Sequence, residues 1–167
     1  ILSHTILFKG KKSQIIFARD ITDKVQAEEE AVLNETKLNA LINSTDDLIW
    51  SLDKDLRINA MNEAYHEFLF SLTGESLKVG DSGILKSNSP KEAQKWKGYY
   101  ARALGGEMFK QEEAAAFGDG TTVVAEIRFN PVYNADDEVT GVVCIARNIT
   151  TRKLNELKLK ELLHQYN

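Results

Sequence analysis

The phrase FARDITDKV runs from Phe17 to Val25, and IARNITTRK runs from Ile145 to Lys153. An apolar run precedes each copy and a charged run follows it. With Ala18 and Ala146 as equivalents, the copies lie 128 positions apart (146 − 18). Solenoid repeats are several times shorter, whereas a small domain plus a linker is about that long. The chain therefore reads as the exit of one folded unit, a connector, one whole small unit and a second exit. At 167 residues it has room for one such unit with extra segments, not for two full ones.

The composition narrows the function classes. A hydrophobic content of 43% and a charged content of 28% are those of a globular protein with a packed core. The net charge of −4 argues against a nucleic-acid partner, which needs a basic face. No apolar run approaches the roughly 18–20 residues of a membrane span, and the start, ILSHTILFKGKK, lacks the basic region of a secretory signal. Cys144 is the only cysteine, so no intramolecular disulfide and no cysteine-based zinc cluster can form. By elimination the expected location is cytoplasmic.

Residues 1–19 predict two short strands around a turn at Lys9–Lys12. From Thr22 a Gly- and Pro-free run of helix formers predicts a helix that Asp20 or Thr22 can cap. Ala27, Ala31, Leu38 and Leu41, with Asn34 at one seam position, approach heptad spacing. Two readings stay open there: an imperfect coiled-coil seam, or a solvated connector helix packed on its own domain. DDLIWSLDKDLRINAMN predicts two strands around a turn at Asp53–Asp55, and Asn62 is a good N-cap for a helix ending at Thr73-Gly74. Residues 75–89 are rich in Gly and Ser, with apolar pieces that predict one or two single-turn helices. Ser89-Pro90 opens a longer helix closed by Gly105-Gly106. Three strands follow. In the middle one Val123, Ala125, Ile127 and Phe129 alternate with Val124, Glu126, Arg128 and Asn130, which predicts one buried and one wet face. The order β-β-α-α-α-β-β-β predicts an α+β fold: a five-stranded antiparallel sheet with short helices on one face, flanked by N- and C-terminal linker helices.

From about Leu41 to Thr150 the chain resembles a PAS domain of the kind strung in series in bacterial sensor kinases. The resemblance rests on Asp53 closing the first strand, INAMNEAY entering the first helix, YYARALGGEMF entering the third strand, and RFNPVYNADDEVTGVVCIARNITTRK over the last two strands and the exit. The family's most specific mark is an Asp-Ile-Thr tripeptide between last strand and output helix. Here it reads Asn148-Ile149-Thr150, and Asp20-Ile21-Thr22 in the upstream copy. The resemblance implies the following boundaries: 1–21, the last hairpin of a truncated upstream PAS domain; 22–43, a linker helix; 44–150, the PAS domain; 151–167, the start of an output helix. It also implies a non-catalytic sensory or signal-relay module. Such a module would work as a homodimer between a neighbouring PAS domain and an output domain, expected to be a histidine kinase. A ligand-free dimerising spacer is the alternative.

Six residues make the junction that carries the signal in this reading: Asp20, Ile21, Thr22, Asn148, Ile149 and Thr150. Asx and Thr would cap the helix, and Ile would anchor it under the sheet. Asn148 replaces the usual Asp, which keeps the acceptor and loses the charge. Flavin-binding relatives carry a reactive Cys in the region matching 74–89, and haem-binding ones a His on the helix matching 91–104; this sequence has neither. No cofactor is evident, and a small unidentified ligand would sit among Trp50, Phe68, Trp96, Tyr99, Tyr100, Phe117 and Phe129, although aromatic residues at such spacings are more often plain core. The GDSG at Gly80–Gly83 has the letters of a serine-protease nucleophile, so a hydrolase using Ser82 and His66 is the reading from another class. It lacks the all-β pattern that chemistry uses. No metal-ligand spacing stands out.

Overall fold

The computed structural model describes residues 2–166. The chain divides into two compact units, one up to Ala40 and one from Leu41 onward.

The first unit holds a hairpin and most of a helix. Strands β1 (Leu2–Phe8) and β2 (Lys11–Phe17) pair antiparallel, with Leu2 opposite Phe17 and Phe8 opposite Lys11. The turn is tighter than the four residues expected. Lys9 and Gly10 alone make it, both at positive φ (48° and 73°), because that backbone matches the twist of the flanking strands. Leu7, Phe8, Ile16 and Phe17 are exposed. Helix α1 (Thr22–Ile42) buries no residue along its length.

The second unit is built on a sheet of order β4-β3-β7-β6-β5, antiparallel throughout. Its strands are β3 (Leu48–Asp53), β4 (Ile58–Met61), β5 (Phe109–Ala116), β6 (Thr122–Tyr133) and β7 (Val139–Asn148). Because opposed residues face the same side, the register draws an inner row across all five strands: Met61, Trp50, Cys144, Phe129, Phe109. Phe109 and Phe129 stack at 4.7 Å. The alternation expected along β6 holds: Ile127 and Phe129 are buried and Arg128 is exposed. The core is closed from this side by Tyr65 and Leu69 of α2 (Glu63–Thr73) and by Tyr100 and Ala103 of α3 (Pro90–Leu104).

The helix ends follow the sequence. Asn62 accepts from the Tyr65 amide, Gly74 closes α2 in the left-handed conformation at φ 75°, and Ser89 accepts from the Glu92 amide with Pro90 in the first turn. The single-turn helices expected between Glu75 and Ser89 are absent. That segment runs instead alongside β4: Ile58 donates to Asp81 O, Gly80 to Ile58 O and Gly83 to Leu56 O. Asp81 and Ser82 turn their side chains onto nearby amides, a competition that favours loop over helix. The order is thus β-β-α-α-β-β-β, followed by α4 (Thr150–Gln165).

Close packing leaves no room at Gly141. A Cβ there would collide with Leu52 O on β3, so only glycine lets the two strands approach.

Among the described residues Asn62 is the one buried polar residue, and both ends of its amide are fully used. Oδ1 accepts from Ile49 N and Tyr65 N (both 3.0 Å), and Nδ2 donates to Ile42 O and Asp47 O (both 2.9 Å). Asn62→Ala leaves four backbone groups without their partner, and we expect it to cost about 3–4 kcal/mol. Asn62→Asp should cost a similar amount at neutral pH, because a carboxylate would face two carbonyl oxygens. Urea denaturation of the three proteins checks both; a loss below 1 kcal/mol for Asn62→Ala would show that water replaces the amide without penalty.

Candidate functional site

Between the inner face of the sheet and α2 and α3 lies a cavity of about 490 Å³. Small side chains on the sheet make the room. Ala115 of β5, Ala125 of β6 and Ala146 of β7 form its floor, on the same face as the large row formed by Trp50, Cys144 and Phe129. Aromatic rings make the walls: Trp50, Tyr65, Phe68, Trp96 and Tyr100. Trp50 and Tyr65 stack at 4.4 Å, and Trp50 Nε1 donates to the Tyr100 hydroxyl at 3.2 Å. Burial pushes the phenols of Tyr65 and Tyr100 well above their ordinary pKa, so both stay neutral hydroxyls.

Of the aromatic residues anticipated here, Trp50, Phe68, Trp96 and Tyr100 line the cavity. Tyr99, Phe117 and Phe129 do not. Phe129 stacks on Phe109, and Tyr99 packs on both. Phe117 meets Phe68 edge-on at 5.6 Å, behind the lining. Spacing shows which face a residue takes, but not which neighbour fills the gap beside it.

Two carboxylates reach the cavity, Glu92 and Glu113, and sequence reasoning singled out neither. Glu113 accepts from Lys95 Nζ at 2.7 Å and from the Tyr99 hydroxyl at 2.6 Å, and Lys95 also meets Glu92 at 3.1 Å. Partial burial pushes the Lys95 ammonium down, but the hydrogen bonds to Glu113 and Glu92 outweigh it and leave its pKa raised. The Tyr99 phenol is pushed up to about 12 by desolvation and then by its bond to Glu113. The signal that could have found Glu113 is its place on β5, where inward and outward positions alternate and Phe109, Gln111 and Ala115 share its side.

The second set of anticipated residues lies at the ends of strands. Asn148 Oδ1 accepts from the Thr150 amide (3.0 Å) and hydroxyl (2.6 Å), and Lys153 N donates to Ile149 O at 3.0 Å. The upstream copy repeats this. Asp20 Oδ1 accepts from the Thr22 amide (2.9 Å) and hydroxyl (2.6 Å), and Val25 N donates to Ile21 O at 3.0 Å. The neutral amide thus does at 148 what the carboxylate does at 20, whose pKa is lowered by those bonds to Thr22. Capping differs from expectation in one respect: the N-cap of α4 is Ile149, with no side-chain cap. The Thr150 hydroxyl accepts instead from Val124 N on β6 (3.0 Å), and Ile149 N donates to Val124 O (2.8 Å). Ile149 is 5% exposed, whereas its counterpart Ile21 is 54% exposed.

Ser82 and His66 form no dyad. The Ser82 hydroxyl accepts from Ile84 N, and the His66 ring meets Ser76 at 3.3 Å. Cys144 is buried, which pushes its thiol pKa up, and it does not line the cavity. Among the described residues no cluster of three or more His, Cys, Asp or Glu could hold a metal, and no helix is long and apolar enough to cross a membrane.

No curated protein matches the chain. Solved structures do. The PAS domain of BvgS from Bordetella pertussis superposes with a TM-score of 0.56 at 21% identity, over 80% of this chain and 98% of that one. The PAS domain of an HTR-like protein from Haloarcula marismortui gives 0.51 at 21% identity, over 74% and 98%. A sensory box histidine kinase/response regulator from Burkholderia thailandensis gives 0.51 at 13% identity, over 78% and 96%. These likenesses establish the fold, and the family model described as "PAS fold" matches residues 42–154. With two-thirds of the sequence under that match and its sheet and helices in place, the chain belongs to the PAS-fold family of signal-sensing modules.

Proposed function

We propose that residues 44–150 sense a small molecule in the aromatic cavity and relay its presence through Asn148-Ile149-Thr150 to α4. The relay would end at an output domain, for which a histidine kinase is the first choice. One observation carries this reading. On β6, Ala125 lines the cavity, and the backbone of its neighbour Val124 holds Ile149 N and the Thr150 hydroxyl by two hydrogen bonds. A shift of that strand by a bound molecule therefore acts directly on the first turn of the exit helix. The choice of a kinase output agrees with one structure of the same fold, that of the sensory box histidine kinase/response regulator from Burkholderia thailandensis.

A dimer fits the same reading, with α1 as its seam. Ala27, Ala31, Asn34, Leu38 and Leu41 are all exposed, Leu38 at 61% and Leu41 at 67%. Val25, Val32 and Leu33 are also exposed and lie off that seam, so the contact would be broad rather than a strict two-position zipper. The repeated junction at Asp20–Thr22 supports the matching proposal that residues 1–21 are the final hairpin of another PAS unit, with 22–43 as linker and 151–167 as output helix.

Three outcomes are expected. Ala125→Leu adds three carbons to the cavity floor. In a filled core that would cost about 1–3 kcal/mol, but here it should cost under about 1 kcal/mol and change amide exchange at 149–153. A large loss with unchanged exchange would make the module a packed spacer. Thr150→Val removes the acceptor for Val124 N, so α4's first turn and the Val124 amide should exchange faster, with a loss of about 1 kcal/mol. Unaltered protection would show a passive helix start. Leu38→Glu with Leu41→Glu should convert a sedimenting dimer to monomer while leaving the thermal unfolding of the PAS unit in place. A dimer that survives the pair would move the contact off α1.

A further inference from the structure

The cavity's charge and its walls together narrow what it can hold. Among the described residues Glu92 and Glu113 are its only charged lining residues, and no Lys, Arg or His lines it. Lys95 lies outside the lining and is shared between the two carboxylates, at 3.1 and 2.7 Å, so the three groups keep a net charge of −1. An anionic ligand would lose its water and gain no cation, which makes it the least favoured class. The one feature that attracts anions elsewhere, a helix N-terminus, has its first turn engaged. Pro90 has no N–H, Glu92 N donates to Ser89 Oγ, and Ala93 N donates to Ser89 O. Glu92 itself stands on that turn.

Five aromatic rings surround the same space. Faces of Trp, Tyr and Phe carry negative potential, and rings grouped around a carboxylate are the arrangement that holds an organic ammonium group. Resting on the reading of this cavity as a sensory site, we infer that its ligand is a small organic cation: a protonated or quaternary amine carrying an apolar or aromatic body. The body would lie on the alanine floor, and the charged head would turn to Glu92 and Glu113.

The test uses three probes that share one phenyl ring: 2-phenylethylammonium, 2-phenylethanol and 3-phenylpropionate, titrated into the whole chain at equal ionic strength. Trp50 and Trp96 are the only two tryptophans and both line the cavity, so intrinsic fluorescence reports occupancy. The ammonium probe should bind about tenfold or more tighter than the alcohol, with the propionate weakest. Glu92→Gln, on a half-exposed side chain, and Glu113→Gln should each weaken ammonium binding several-fold and leave the alcohol unchanged. Ala125→Leu should weaken the ammonium and the alcohol alike. Alcohol or propionate binding as tightly as the ammonium, or glutamine variants without effect, would overturn the cation assignment and leave the sensory cavity standing. Ammonium binding that survives Ala125→Leu would place it elsewhere and overturn the assignment too. A flat fluorescence response to all three would overturn both readings.

Discussion

Four short hydrogen bonds from one buried amide hold the input side of the PAS unit in register. Asn62 joins the end of α1, the loop at Asp47, the first residues of β3 and the first turn of α2. Each of those elements ends with backbone groups that no regular ladder can satisfy. A serine could cap α2 but could not also donate to two carbonyls. An aspartate could accept twice but would repel them. The amide alone has two acceptor sites and two donors in one plane, which is what four converging chain ends require. Asn43 adds a second tie from the same loop, accepting from Glu63 N at 2.7 Å. The wall of the cavity formed by Trp50 and Tyr65 stands directly on this knot, so the cavity's shape depends on it.

How much of this could be read from the sequence follows from how local each cause is. Period-two alternation in β6, the glycine after α2 and the Ser-Pro before α3 act within a few residues, and all were legible. So was one of Asn62's four bonds, the local one to Tyr65; the partners at Ile42, Asp47 and Ile49 are 13 to 20 residues away. The stretch 75–89 misled because its apolar residues match a single helical turn, whereas its amides are claimed by β4 and by Asp81 and Ser82. The aromatic set was legible as an inner layer but not as a lining. Ala115, Ala125 and Ala146, which open the cavity, carry no signal in a sequence where alanine suits any element.

The duplicated exit shows what the local motif does and what it does not do. Both copies make the same Asx turn with nearly the same distances, so that geometry is written in the tripeptide. Burial of the isoleucine is not. Ile149 is covered because β6 is there to receive it, through Val124; Ile21 carries the same backbone geometry and stays largely exposed. The tripeptide therefore makes the same helix start in both copies, and only at 148–150 does a neighbouring strand grip it, as the proposed coupling would require.

The outer face of the sheet gives that grip a second component. Glu112 lies directly opposite Glu126, and Lys110 directly opposite Arg128, pairings that repel across a ladder. Lys110 reaches Glu126 diagonally at 3.7 Å and Arg147 of β7 stands opposite Glu126, but Glu112 still needs more positive charge. It comes from α4. Lys153 meets Glu112 at 2.7 Å, and Arg152 lies 3.7 Å from Glu112 and 3.6 Å from Glu126. Singly, such half-exposed pairs contribute little. Their placement matters more than their sum, because the first turn of the exit helix offsets a repulsion that the sheet relieves only in part. If α4 tilts away, the glutamates are left facing each other, so the docked and released helix differ in electrostatic energy as well as in two hydrogen bonds. In the proposed relay, that difference is what a shift of β6 at Ala125 would act on.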